Sequence, residues 1–318
     1  MTTRRSARLV TKAAAAKTKD RVAKPAPKKR ADKKRADKDQ LPIVVIAKPP
    51  PATMAVASPL AAVAATVSLA AVARSLADPG TMDAAVRHLR AADAKLAELI
   101  DRTTEVCSMS LPRDRDDDSC FTSLCRSVIY QQLAGKAAQA ILLRFLKRYG
   151  TLVDAAKAPL LLLDGAEGPS ALSCDDFRFP GPQAVAALDV DEVRAVGLGQ
   201  RKAEYIRAVA ERFNDGTLSD ERLASMGDDE ASRALVAIRG IGQWTADMFL
   251  MFHLKRPNVL PTLDLAVRKA MCSHFGVPFG KNSPTHEQMV ELARPWEPYR
   301  SVATWYMWRL ANTITQKS

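Results

Sequence analysis

From Thr81 to the C terminus, apolar residues return at intervals of three, four and seven, and no stretch sustains the alternation of a half-buried strand. Met82, Val86, Leu89, Leu96, Leu99 and Ile100 make one such stripe. Leu124, Val128, Ile129, Leu133, Ile141, Leu142 and Phe145 continue the pattern across Thr122–Arg148, and Gly150 closes it. Asp189 with Glu192 and Thr285 with Gln288 have the spacing of capping boxes. A helix follows the Gly197-Leu198-Gly199 turn, with Ala203, Ile206, Val209, Ala210 and Phe213 on one face, and a last helix runs from about Tyr299 to Thr315. Residues 158–182, with Gly165, Gly168, Pro169, Pro180 and Pro182, read as a long surface loop. The folded part is therefore all-α.

Charge divides the chain of 318 residues differently. Residues 1–80 carry 17 Lys and Arg against 5 Asp, which accounts for the whole net charge of +12. Residues 81–318 carry 30 of each sign. Arg4, Arg5, Arg8 and the clusters Lys28-Lys29-Arg30 and Lys33-Lys34-Arg35 repel one another and stay solvated. Three readings of this stretch stand: a solvating disordered tail, a nuclear address with a phosphate-binding arm, or an organellar transit peptide. Residues 49–73 are uncharged and long enough to cross a bilayer, but ten of the 25 are Ala and Pro59 interrupts them. They read as an Ala/Pro linker. Asp78-Pro79-Gly80 then sets the expected boundary, with a basic tail and linker over 1–80 and one helical domain over 81–318.

Several chemistries are excluded. Five cysteines are too few for a disulfide scaffold. His88, His253, His274 and His286 form no pair at metal-ligand spacing, and Cys120 and Cys125 lack a second pair, so no zinc or iron–sulfur site is expected. Neither a Walker loop nor a dinucleotide fingerprint is present.

The informative stretch is Leu235 to Asp247. A helix ends near Arg239, Gly240-Ile241-Gly242 makes a tight turn, and a new helix begins near Trp244. Two glycines let a phosphate approach the backbone, where the N–H groups of the turn and of the following helix point at it. An ordinary helix–helix turn carries the same glycines, so the pattern alone leaves both readings open. Downstream, Asp264 follows Pro261 at a helix start, where it can be a dipole-complementing carboxylate or a catalytic one.

Taken together, the two segments resemble the helix-hairpin-helix DNA glycosylase superfamily, and within it the DNA-3-methyladenine glycosylase II (alkylbase DNA glycosylase) branch. The resemblance covers residues 82–318. It is carried by Ile129-Tyr130-Gln131-Gln132-Leu133, Gly199 to Ile206, Gly240 to Ala246, Leu260 to Lys269 and Pro298-Tyr299-Arg300-Ser301. It implies two helical subdomains flanking a cleft, with the target base rotated out of the duplex. It places the hairpin Gly240, Ile241, Gly242 and Thr245 on DNA, together with Gln132 and an intercalating wedge at Leu133. A core leucine is the competing reading of Leu133. Trp244 and Trp308 match the base pocket, although Trp308 also fits a core, and Trp305 and Tyr306 fit either. Where some relatives have aromatics, this chain has Met248 and Leu265.

Lyase-active relatives carry a lysine two residues after the second hairpin glycine, and here that residue is Trp244. An indole forms no Schiff base, so the resemblance implies a monofunctional glycosylase acting on alkylated purines such as 3-methyladenine and 7-methylguanine. Their positive charge suits an indole face. Asp264 is the expected catalytic residue, stabilising the cationic sugar as the C1′–N bond breaks, and Asp247 is the next acid in line. Arg268, Lys269 and the tail supplement the hairpin amides on phosphate. No metal and no cofactor is expected, apart from a monovalent cation on hairpin carbonyls that the resemblance brings with it. The expected partner is damaged double-stranded DNA, met by a monomer in the nucleus, or in an organelle on the transit-peptide reading, with no membrane. Two alternatives remain: a lyase-active glycosylase for oxidised bases, and a non-catalytic protein that binds DNA structure.

Overall fold

The computed structural model describes residues 75–110, 119–162 and 172–316. Most of the basic tail, the whole uncharged linker and residues 163–171 lie outside them.

Thirteen α-helices carry the described residues. Helices α1 (Thr81–Ala92) and α2 (Ala94–Arg102) form a pair whose hinge is Asp93, its carboxylate capping α2 at Leu96 N–H. Helices α3 (Cys120–Tyr130) and α4 (Gly135–Tyr149) follow. A 3₁₀ segment, Ala155–Leu162, leads away from strand β1 (Thr151–Leu152), which pairs antiparallel with β2 (Phe177–Arg178). Then come α5 (Pro182–Ala186), α6 (Val190–Ala195), α7 (Gln200–Asn214), α8 (Asp220–Ser225) and α9 (Asp228–Val236). Helix α10 (Gln243–Met248) runs directly into a π-helical turn, Phe249–His253. Helices α11 (Leu265–Phe275), α12 (His286–Leu292) and α13 (Arg300–Gln316) complete the fold.

The apolar faces bury into two clusters. The middle of the chain builds one, around Phe121, Phe145, Phe179, Ile206 and Leu235. The two ends build the other, where Leu89 and Leu96 of the first helices meet Trp296, Trp305 and Met307. The α10 segment belongs to both: Ala246 and Phe249 enter the first cluster, Leu250 and Met251 the second. This gives the two helical subdomains expected from the sequence, with the hairpin helix as their shared wall.

Four expectations change. Thr122–Arg148 is two helices, because the backbone leaves the helical region at Gln131, the C-cap of α3, with ψ 131°, and Gln132 follows at a left-handed φ of 57°. The apolar stripe runs through the break without marking it. Residues 158–182 are not simply a surface loop: Leu172, Cys174, Phe177 and Phe179 are buried in the first cluster, and Phe177 also pairs in the short ladder. Phe177 and Phe179 do alternate, but too briefly among prolines to read as a strand. The Asp78-Pro79-Gly80 punctuation does not mark the start of packing, since Leu76 is buried in the second cluster and its N–H donates to Lys255 O at 2.7 Å. The Thr285–Gln288 capping box forms, whereas Asp189 caps α6 alone.

Candidate functional site

Asp264 is the N-cap of α11. Its Oδ1 accepts from Val267 N–H at 2.9 Å and from the Trp308 indole N–H at 3.1 Å, while its Oδ2 accepts from the Trp244 indole N–H at 2.9 Å. Three donors from three elements therefore fix one carboxylate. The loop that delivers it is pinned along its length. Buried Arg256 donates to Leu223 O, Ala224 O and Met226 O. Ser301 Oγ donates to Arg256 O and accepts from Val259 N–H, and Arg300 Nε donates to Asn258 Oδ1. Thr262 Oγ1 bonds His286 Nδ1 at 2.6 Å. Arg300 and Ser301, quoted above only as a motif, thus hold the loop leading to Asp264.

The two tryptophans contribute differently. Trp244 is 46% exposed, with its N–H edge committed to Asp264 and its ring left facing outward. Trp308 is half-buried and stacks on Phe252, with centroids 5.7 Å apart at 24°. Phe252 was not singled out in the sequence. It stands four residues beyond Met248 and eight beyond Trp244, so an aromatic is present one turn later than the position searched. The π-helical turn carries it, and a search at Trp244 plus eight would have found it. Trp305 is fully buried and Tyr306 nearly so, which makes both core residues. Leu263 and Leu265, on either side of Asp264, are 60% and 67% exposed and leave an apolar rim.

The hairpin joins α9 to α10. Gly240 has φ +97°, and a Cβ there would meet the Tyr205 ring at 2.2 Å, so both conformation and close approach demand glycine. Gly242 caps α10, with open space where a Cβ would go. The first N–H groups of α10 lack intrahelical partners and are available to an anion. Ile241 and Thr245 are expected on DNA, but both side chains are buried, and the Ile241 N–H is spent on Ile238 O, which leaves the backbone amide of Thr245, in the first turn of α10, to serve. Ile241 anchors the turn in the first cluster. Carbonyls of Ile238 and Gly240 accept from Ile241 N–H and Gln131 Nε2, respectively. Each keeps a second lone pair.

Gln132 and Leu133 lie in the exposed turn between α3 and α4, and Leu133 is 39% exposed, which removes the core reading. Tyr130 beside it is equally exposed. Asp247 does not join this group. It is buried, its Oδ1 accepts from Gln243 Nε2 at 2.8 Å, and it lines a separate cavity with Asp228, Asn258, His286 and Arg300. Among the described residues no cluster of histidine, cysteine, aspartate or glutamate is placed to hold a metal ion.

A family model described as the HhH-GPD superfamily of base excision DNA repair proteins matches residues 125–298, more than half of the chain and the segment holding the wedge turn, the hairpin and Asp264. The chain belongs to the HhH-GPD superfamily. Among curated relatives of this superfamily member, YfjP of Bacillus subtilis is 31% identical over 193 residues, 61% of this chain and 59% of YfjP. DNA-3-methyladenine glycosylase 1 of Schizosaccharomyces pombe is 28% identical over 63% of this chain and 76% of its own length. The chain thus spans well under two thirds of the first relative and three quarters of the second. Among solved structures, a DNA-3-methyladenine glycosidase from Bacillus halodurans aligns with a TM-score of 0.57 at 28% identity, over 76% of this chain and 94% of that one. The Schizosaccharomyces pombe 3-methyladenine DNA glycosylase bound to abasic DNA aligns with a TM-score of 0.52 at 26% identity, over 71% and 95%. Among the described residues no helix is long and apolar enough to cross a membrane.

Proposed function

We propose that this HhH-GPD protein excises alkylated purines from duplex DNA by hydrolysing the C1′–N glycosidic bond, leaving an intact abasic site for base-excision repair. The observation that carries the reading is the Asp264 carboxylate, held by two indole N–H groups beside an outward-facing indole ring. The names of the relatives, which specify 3-methyladenine, support the same substrate class.

In this reading the hairpin amides around Gly240 and Gly242 take a phosphate. Leu133 enters the stack with Gln132 beside it, and the lesion rotates out toward Trp244 and Trp308. A cationic base is attracted to the indole face by about 0.5–2 kcal/mol. As the C1′–N bond breaks, both of its electrons leave with the base and positive charge develops on the sugar. Asp264 stabilises that charge and orients the water that attacks C1′. Alkylation already makes the base a good leaving group, so no general acid is needed. Trp244 stands where lyase-active relatives have lysine, and an indole cannot form an imine with the sugar. The basic tail adds sequence-independent affinity and directs the protein to the nucleus, and the enzyme acts as a monomer.

The test is release of free 3-methyladenine and 7-methylguanine from methylated duplex DNA by the full chain. The expected product strand stays whole until alkali is added, and borohydride traps no protein–DNA adduct. A trapped adduct, or binding without any base release, would overturn the reading.

A further inference from the structure

The stretch Gly199 to Ile206 has no place in the chemistry above, yet α7 touches both devices that grip DNA. Lys202 Nζ donates to Ile129 O and to Gln131 O, each at 2.7 Å. These carbonyls close α3, where the last turn leaves acceptors unpaired and the helix dipole favours a cation. One turn along α7, the Tyr205 ring lies under Gly240, close enough that a Cβ there would collide with it. Arg201 and Arg239 flank that ring at 5.9 Å and 5.8 Å from its centroid. Gln131 completes the connection by donating from Nε2 to Gly240 O at 3.0 Å.

We propose that Lys202 is a positioning residue that sets the wedge turn, Gln131 to Ala134, at a fixed distance from the hairpin, so that phosphate grip and base displacement occur in one docked geometry. The proposal rests on the base-flipping reading above. Without such a tie the turn has little to hold it. Gln132 sits at a positive φ, and Gln132, Leu133 and Ala134 are all exposed. An intercalating side chain must resist being pushed back by the stack it parts, so its backbone needs an anchor. Charge-assisted bonds from an ammonium to two carbonyls supply one. Lys202 is unsuited to binding phosphate itself. Two of its N–H groups are spent on protein carbonyls, and burial lowers its pKa, unlike a lysine exposed for an anion.

The experiment uses the full chain with Lys202→Met, Lys202→Arg and Gln131→Leu. Single-turnover excision is measured on two duplexes, one with the lesion paired normally and one with it opposite an abasic site, where displacement costs least. Affinity for undamaged duplex is followed against salt. Lys202→Met should slow excision about tenfold or more on the paired lesion and under about threefold on the unpaired one. Lys202→Arg should recover much of the loss. The slope of log affinity against log salt should not move, whereas loss of a direct phosphate contact would reduce it by about 0.9. Equal losses on both duplexes, a reduced slope or no loss at all would overturn the proposal. If Lys202→Met fails to fold, Gln131→Leu, which cuts only the bonds to Gly240 O and Thr245 Oγ1 of the hairpin, must show the same preference for the unpaired lesion. Wild-type protein that releases no base from either duplex would sink the glycosylase reading. Wild-type release without a paired-to-unpaired difference in the variants would sink this one alone.

Discussion

Two aspartates on neighbouring elements show how differently one fold can hold a carboxylate, the first proposed here as catalytic and the second buried. Asp264 is half-buried at the start of α11, and three N–H donors converge on its two oxygens. Asp247 lies inside α10, only three residues from Trp244, and has one amide donor from Gln243. Burial pushes its carboxyl up to about 6, although Gln243 and the nearby His286 pull it down. Proximity to the hairpin motif does not decide which acid serves the site. Asp264 has donors from three elements to aim it and an apolar rim around it. Asp247 has a protein cavity shared with Asp228, Asp229, Arg233 and Arg300.

The largest expected effect breaks the Asp264 side of the comparison. Asp264→Asn should lower single-turnover excision on the order of a hundredfold or more, matching the roughly 3–4 kcal/mol lost when one preorganised electrostatic partner is removed. Binding to an abasic duplex should persist, since the hairpin and wedge are untouched. Stability should fall by about 1 kcal/mol, because the new amide presents N–H where an indole N–H already points. Full excision by this variant would move the catalytic role elsewhere.

A smaller effect separates the two uses of Trp244. Trp244→Phe keeps an aromatic face but deletes the donor to Asp264 Oδ2. A hydrogen bond to a charged group is worth about 1.5–3 kcal/mol, so excision should drop by at least roughly tenfold while abasic-DNA affinity holds. Trp244→Leu, which removes face and donor together, should lose more. If the phenylalanine variant matched wild type, the indole would act through its face alone.

How far the sequence led depended on whether a residue's role was local. Helical periods, the Gly240 turn and the Pro261–Asp264 helix start are local patterns, and each lies where expected. The roles of Arg300, Ser301 and Lys202 were hidden because their partners lie 42 or about 70 residues away, and no spacing rule connects them. Phe252 was missed because a π-helical turn shifts the face of the helix that carries it. The break after Tyr130 was missed for a different reason. Leu133 fits the apolar stripe by position, yet the chain turns at Gln132 and exposes it. Such an exposed leucine contributes little to folding, and the proposed wedge role gives its exposure a use.

The smallest effect sharpens the Asp247 side. A carboxyl whose folded value is about 6 and whose ordinary value is 3.8 keeps its proton in the folded state over a window where the unfolded chain has released it. Stability linked to this group is therefore complete below about pH 4, falls as pH rises through that window, and is lost above pH 6. Two pKa units correspond to about 3 kcal/mol at most. Asp247→Asn removes the charge but still buries an amide, so only part returns. The variant should gain on the order of 1 kcal/mol at pH 7, or a few degrees in Tm, and the gain should vanish near pH 4. The asparagine Oδ1 still accepts from Gln243, so the fold of α10 should hold and excision should match wild type. Denaturant melts of both proteins at pH 4, 5.5 and 7 decide the matter. A gain independent of pH would show that Asp247 is not the group that titrates. A loss of excision would make Asp247, rather than its cavity, part of the reacting site and remove the contrast with Asp264.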